Sequence, residues 1–326
     1  MIYLHDGHIR SLGIDWGRLV GIVEAVVRER EHGTCVSPAK TYLRYGDMRN
    51  RIIAMPAYVG GPLDLAGIKW VAGFPGNIVR GLPRASNAIV LNDAQTGIPS
   101  AFIRSALLNG LRAAAVSGLM LRAYLEARQP EEARLGIVGW GPIGRLHLDM
   151  CAELLGDRLK RVSLFDLRPI DSQTVPADLR DIVSIESDWR AVYGASDVFA
   201  TCTVSAERYV DEAPPAGALL LNVSLRDYEP ASVFGKAIPV VDDWAEVCRE
   251  NTDIEQLHAA YGLGEADART LADVVCRDAL RDFPAGLPIF FNPMGLGVFD
   301  IAIAGDYARL AAERGIGIPL EDASIK

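Results

Sequence analysis

The stretch LGIVGWGPIGRLHLDM, residues 135–150, decides the fold. It contains Gly139-Trp140-Gly141-Pro142-Ile143-Gly144, a GxGxxG hexapeptide, which carries little weight alone in a chain with 31 glycines. Its surroundings supply the weight. An apolar run, RLGIV, precedes it and an amphipathic segment, GRLHLDMCAELLG, follows. A second apolar run, RVSLFD, then ends in Asp166, 22 residues beyond Gly144. Each part has a mechanical reason. Gly139 permits a tight turn, Gly141 lets the backbone approach a pyrophosphate, and Gly144 lets helix and strand pack closely. Pro142 and Ile143 open a helix whose free N–H groups and positive dipole end suit an anion. Asp166 can accept hydrogen bonds from ribose hydroxyls and repels a 2′-phosphate, so NAD is the expected cofactor. Arg168 beside it keeps NADP as an alternative, and a flavin, S-adenosylmethionine or a plain glycine turn are the competing readings.

Beyond the hexapeptide, strands and helices alternate: DVFATCT, ALLLNVSL and AIPVVDD read as strands, DWRAVYGAS as a helix. Such alternation predicts a parallel, doubly wound α/β sheet, a Rossmann domain. Thr201, Thr203 and Ser224 fall where two strands exit, and small polar residues there suit a cofactor lying over the sheet edge. The segment LLLNVSLRDYEP, residues 219–230, carries Asp227 out on the same edge. A strand-end cap, with Asp227 paired to Arg226, is the alternative to a catalytic acid.

The first third has another character. Residues 12–32 have apolar side chains at helical spacing and read as one amphipathic helix. KTYLRYG, RIIAMPAYVGG, LAGIKWVAGF and ASNAIVLNDAQTGIP are β-rich runs divided by Gly, Pro and Asn-Asp turns, which predicts a mostly antiparallel sheet with NDAQTG as a hairpin connection. Residues 101–127 read as one Ala/Leu-rich helix broken by RQPEEA, the expected domain boundary. The tail from Pro288 reads as a loop and a long helix packing back on the first domain. The expected division is therefore 1–127 with 300–326 as a substrate and dimerisation domain, and 128–299 as the NAD-binding domain.

Bulk properties narrow the partners. A formal charge of −9 argues against a broad nucleic-acid surface. No apolar run approaches the ~20 residues of a membrane span. The opening MIYLHDGHIRSLG lacks an apolar signal core, so a cytoplasmic location is expected. Five scattered cysteines form no CxxC and five histidines show no ligand spacing, so no disulfide framework and no metal are expected.

The motifs RIIAMPAYVGG, AGIKW, GLPRAS, NDAQTG, GWGPIG, NVSLRD and FFNPMGLGVFDIAIA together resemble the ornithine cyclodeaminase/mu-crystallin family. Within it, GIKWVAGFPGNIVRGLPRAS, NVSLRD and FNPMG look most like the NAD-dependent dehydrogenases of 2,3-diaminopropionate biosynthesis in siderophore and peptide-antibiotic pathways. The resemblance implies oxidation of N-(1-amino-1-carboxyl-2-ethyl)-glutamate and hydrolysis to 2,3-diaminopropionate and 2-oxoglutarate, in a homodimer. It also implies that Lys69, Arg112 and Arg44 bind a small anionic amino-acid substrate and that Asp227 is catalytic; Lys69 is read as a second catalytic group and Arg84, among the neighbouring arginines, as a further substrate-binding residue. Three positions depart from family habits. Ala113 stands where threonine is usual and Arg104 where an acid is more frequent. Ile53 lacks the carboxylate that ornithine-using members place before their Met-Pro, which counts against ornithine. Cyclodeaminase, ketimine reductase and alanine dehydrogenase are the competing activities, and a non-catalytic crystallin-like binder is the competing class.

Residue chemistry agrees with an anionic substrate. Arginine reads carboxylates through two parallel N–H donors, and Arg44, Arg80, Arg84, Arg104 and Arg112 cluster in the first domain around Lys69. Arg44, Arg112 and Lys69 interrupt apolar runs, where a charge needs a partner. Asp300 reads as a first-turn acid of the last helix.

Overall fold

A computed structural model of the chain describes residues 1–320. Two compact units form, Met1–Arg112 with the chain from Gly295 onward, and Ala113–Met294. The division falls inside the helix Ala106–Arg128 and just before the last helix, rather than at 127/128 and 299/300. RQPEEA ends that helix, with Gln129 at φ 48°; a helix end is a local backbone event, whereas a unit boundary follows packing. Positions 321–326 of the expected first domain lie outside the described residues.

The first unit is built on a seven-stranded sheet in the order Ile318–Pro319, Ile2–His5, Pro99–Arg104, Ala85–Asp93, Leu65–Gly73, Arg51–Val59, Thr41–Leu43. Its strands are antiparallel except for Ile2–His5 beside Pro99–Arg104. NDAQTG makes the expected hairpin: the Asp93 carboxylate accepts the N–H groups of Gln95 and Thr96, and Gly97 takes φ 72°. Residues 101–104, read from sequence as helix, are strand. They alternate buried and exposed side chains, pair on both sides, and hand over to a helix capped by the Ser105 hydroxyl, which accepts the N–H of Leu108. The helix expected over 12–32 is present as Trp16–Glu31, started by the Asp15 cap; a separate short helix, Asp6–Leu12, precedes it and ends at Gly13 with φ 85°.

The last helix, Gly297–Arg314, packs on this sheet, as expected from sequence. Small residues let it come close. A Cβ on Gly67 would lie 2.9 Å from Ile301 Cδ1, and one on Gly305 2.1 Å from Leu65 Cδ1. This close approach sets Asp300, in the first turn, against the buried face of strand Leu65–Gly73.

The second unit carries an eight-stranded parallel sheet in the order Arg269–Thr270, Ile238–Val241, Ile289–Asn292, Leu219–Asn222, Val198–Thr201, Ala133–Val138, Leu159–Phe165, Val183–Ile185. The expected doubly wound fold is present. Ala133–Val138 is flanked by its successor on one side and by Val198–Thr201 on the other, so strand order reverses there, the place where such sheets bind ligands. One expectation fails: the sheet is not complete before residue 288. Ile289–Asn292, read as loop, is an inner strand with all four residues buried. Flanking Pro288 and Pro293 disguise it, and only four residues lie between them. Among the described residues no helix is long and apolar enough to cross a membrane.

Candidate active site

Chemistry-bearing side chains gather in two places, one in each unit. In the second unit, the turn after Ala133–Val138 is shaped by atoms that exclude side chains. Gly139 sits at φ 96°, and a Cβ there would lie 2.5 Å from the Cys202 carbonyl oxygen. A Cβ on Gly144 would lie 2.1 Å from the Gly139 carbonyl oxygen. A Cβ on Gly141 would meet open space, and the helix Pro142–Leu155 starts there without a side-chain cap. Its first N–H groups therefore face outward with no side chain to satisfy them, which fits a pyrophosphate.

Asp166 ties the turn down: its carboxylate accepts Trp140 N–H at 2.8 Å and Arg168 N–H at 2.9 Å. The oxygen that takes Trp140 N–H, Oδ2, keeps a lone pair for a ribose hydroxyl. Arg168 is largely exposed, with its Nε 3.5 Å from Asp166. His147, read as packing or solvent-facing, is buried: its ring nitrogens meet the Ile143 carbonyl at 2.8 Å and the Ser117 hydroxyl at 3.0 Å. Burial pushes its pKa down to about 4, so it is a neutral strut behind the glycine turn.

Past the end of strand Leu219–Asn222 lies Asp227, fully buried. The Thr203 hydroxyl donates to its Oδ1 at 2.5 Å, and the Ser224 hydroxyl contacts Oδ2. Ser224 Oγ also lies 2.8 Å from the Thr201 carbonyl and accepts Thr203 N–H at 3.1 Å. Thr201 itself is buried, its hydroxyl donating to Asn222 Oδ1 at 3.1 Å. Burial raises the Asp227 carboxyl above its ordinary range, and the hydroxyls and Arg226 offset only part of that. The Arg226 guanidinium donates to the Glu250 carbonyl at 2.9 Å, so it anchors backbone.

Sequence reasoning missed a neighbouring group. Asp253, at the head of helix Asp253–Tyr261, accepts Arg208 Nε–H at 2.8 Å, Asn222 Nδ2–H at 2.9 Å and the peptide N–H groups of Asp227 and Tyr228 at 3.1 and 3.2 Å. Asn222 Nδ2 also donates to Asn292 Oδ1 at 2.7 Å. These residues lie tens of positions apart and share no motif. The one local signal was the pair of asparagines ending two apolar runs.

In the first unit, Lys69 and Asp300 are buried and bonded at 2.8 Å, and Arg112 Nε donates to the same Asp300 oxygen at 3.0 Å. Lys69 Nζ also donates to Asn109 Oδ1 at 2.5 Å. Gly295, at φ 80°, lies against the guanidinium: a Cβ there would be 2.1 Å from Arg112 Nη1. Burial lowers the Lys69 pKa to about 8, opposed by the Asp300 charge. Burial pushes the Asp300 carboxyl up, and Arg112 and Lys69 more than reverse that, leaving it below the usual carboxylate range. Two cations and one anion leave one positive charge, and Arg112 keeps 12% of its side chain exposed.

The other two expected substrate arginines sit differently. The strand Thr41–Leu43 ends before Arg44, which donates to the Met48 carbonyl at 3.1 Å and lies over the Tyr42 ring. It does not interrupt a buried strand, because this is an edge strand with exposed Thr41 and Leu43. Arg84 is exposed in the segment entering strand Ala85–Asp93, and burial of part of its chain with Arg51 nearby lowers its pKa. Among the described residues no cluster of His, Cys, Asp and Glu could hold a metal ion.

A parallel sheet with a glycine turn at its switch point and an acid closing the next strand defines an NAD-dependent oxidoreductase of the doubly wound class. The chain belongs to the ornithine cyclodeaminase/mu-crystallin family, whose pattern matches residues 11–238. It is 31% identical to N-((2S)-2-amino-2-carboxyethyl)-L-glutamate dehydrogenase of Staphylococcus aureus over 98% of both chains. It is 26% identical to alanine dehydrogenase of Archaeoglobus fulgidus over 97% of both. Among solved structures, Thermococcus litoralis Δ1-pyrroline-2-carboxylate reductase, in complex with NADH and L-proline, has the same fold, with a TM-score of 0.88 at 22% identity over 98% of this chain and 100% of that one.

Proposed function

We propose that the protein oxidises N-((2S)-2-amino-2-carboxyethyl)-L-glutamate with NAD and hydrolyses the product to 2,3-diaminopropionate and 2-oxoglutarate, in siderophore or peptide-antibiotic biosynthesis. The observation that carries the reading is one chain holding both a nicotinamide-dinucleotide turn and a buried Lys69–Asp300–Arg112 group with surplus positive charge. The particular substrate is argued from similarity to the S. aureus dehydrogenase. A homodimer located in the cytoplasm belongs to the same reading.

NAD, bound at the Gly139–Gly144 turn, supplies the hydride acceptor. The substrate loses the hydride of its glutamyl Cα–H and one proton from nitrogen, giving a C=N bond; water then adds and the C–N bond breaks to ketone and amine. Arg112 and Lys69 bind a substrate carboxylate. Hydride departure needs the nitrogen lone pair, so a base must hold the amine unprotonated, and Asp227 takes that proton and afterwards activates water. Burial raises its carboxyl toward the working range of such a base. Thr203 and Ser224 orient it.

The test is NADH formation with the glutamate adduct, ornithine, proline and alanine as substrates. The adduct is expected to turn over fastest and to yield 2-oxoglutarate. Release of ammonia from ornithine without net NADH would replace this reading with a cyclodeaminase. Asp227→Asn is expected to keep NADH binding and lose turnover by at least about a hundredfold, the usual contribution of a general base.

A further inference from the structure

We propose that Asp253 is a second carboxylate of the reaction centre, a positioning residue held ionised by the donors around it, which leaves Asp227 as the aspartate there that exchanges a proton. The inference rests on the reading of Asp227 as the acid–base group, and it follows from counting hydrogens. Asp253 is buried and faces only donors: Arg208 Nε, Asn222 Nδ2 and two peptide N–H groups. A proton on it would point an O–H at an N–H, so only the carboxylate satisfies this shell. Asp227 faces hydroxyls, which donate or accept. Ionised, it accepts from both Thr203 and Ser224. Protonated on Oδ2, it donates to Ser224 Oγ, whose own hydrogen turns to the Thr201 carbonyl 2.8 Å away. One hydroxyl rotation converts one satisfied network into the other.

Asp253 also holds the loop in place. Leu225 takes φ 67°, a left-handed conformation unfavourable for a residue with a Cβ. Its N–H is taken by Asn222 Oδ1 at 3.1 Å and its carbonyl accepts Asp253 N–H at 2.8 Å. Two and three residues further on, the N–H groups of Asp227 and Tyr228 donate to Asp253 Oδ2, so the second carboxylate grips the backbone of the first.

The charged and titratable groups facing Asp227 come from several elements. They are Arg226 and Tyr228 on its own loop, Cys202 and Tyr209 on the segment after Val198–Thr201, and Asp253 with its partner Arg208. Burial pushes the Cys202 thiol and the Tyr209 and Tyr228 hydroxyls up, so they stay neutral. Burial and the Asp227 charge push the Asp253 carboxyl up as well, and Asn222, Arg208 and the Tyr228 N–H offset part of that; what sets it apart from Asp227 as the negative neighbour is a shell made of donors alone.

Two measurements test this. Infrared titration of the whole protein without substrate follows the protonated-carboxyl stretch. The band surviving to highest pH at this centre is expected to vanish in Asp227→Asn and to remain, shifted to lower pH, in Asp253→Asn. Its loss in Asp253→Asn instead would overturn the assignment. If Asp253→Asn does not fold, Asp227→Asn decides alone: loss of that band supports the assignment, and its persistence overturns it. The kinetic arm is the pH profile of kcat/KM with the glutamate adduct. Asp253→Asn is expected to move its acidic limb down by roughly one pH unit, since a like charge near Asp227 is gone. A uniform loss at every pH with the limb unmoved would mean scaffolding alone. The infrared arm stands even if the adduct is not the substrate.

Discussion

Lys69 is a cation withdrawn from water, and its state depends on Asp300. Taking one partner from a buried, bonded charge pair costs about 3–5 kcal/mol, because the other charge stays buried. Asp300→Ala is therefore expected to lower unfolding free energy by that order in urea titrations; a loss below 1 kcal/mol would mean the pair is not buried as described. Lys69 also leaves a pH signature. Its folded pKa of about 8 lies below the ordinary 10.5, so between these values the unfolded chain holds a proton that the folded chain has released. Stability then rises with pH across that window. Wild type is expected to gain relative to Lys69→Met between pH 8 and 10.5, and parallel curves would refute it. Asp227 stood out in sequence because a strand of the cofactor sheet carries it out at the edge, and Lys69 and Arg112 because a charge inside an apolar run demands an explanation. Arg44 was misjudged by the same rule, since an edge strand with exposed neighbours makes no such demand.

Elements differ in how far local sequence governs them. The glycine turn is governed fully: Gly139 and Gly144 are required by backbone atoms within 2.5 Å of where a Cβ would sit. Gly144→Ala is expected to push the helix Pro142–Leu155 off its strand and weaken NADH binding tenfold or more, about 1.4 kcal/mol. Fluorescence titration measures it, and a dissociation constant within twofold of wild type would contradict the role of that contact. The Asn222–Tyr228 loop is governed from outside. Within NVSLRD only Asn222 helps hold the left-handed Leu225, by accepting its N–H; the bond to its carbonyl comes from Asp253, reached only after the intervening strand Ile238–Val241. Strand Ile289–Asn292 was equally hidden: between two prolines, three apolar residues and an asparagine look alike as loop or strand until neighbours pair with them on both sides.

For the molecule as a whole, the first unit leaves large apolar side chains uncovered, with Val79 90% and Met48 63% exposed. Such surface favours association. Sedimentation is expected to give twice the mass of the chain, and a monomer at micromolar concentration would contradict the dimer proposed above. The two-unit organisation was readable as a change from turn-divided β runs to strand–helix alternation. The place of division was not, since it lies within a continuous helix that no composition shift marks.

Local chemistry settled what is repeated or sterically forced: the parallel sheet from alternation, the cofactor turn from three glycines and an acid, and the charges that had to be partnered. Folding alone settled who the partners are. Asp300 joins Lys69 across 231 positions and Asp253 joins Asp227 across 26. A carboxylate's protonation depends on which donors surround it in space, and separation along the chain does not encode that.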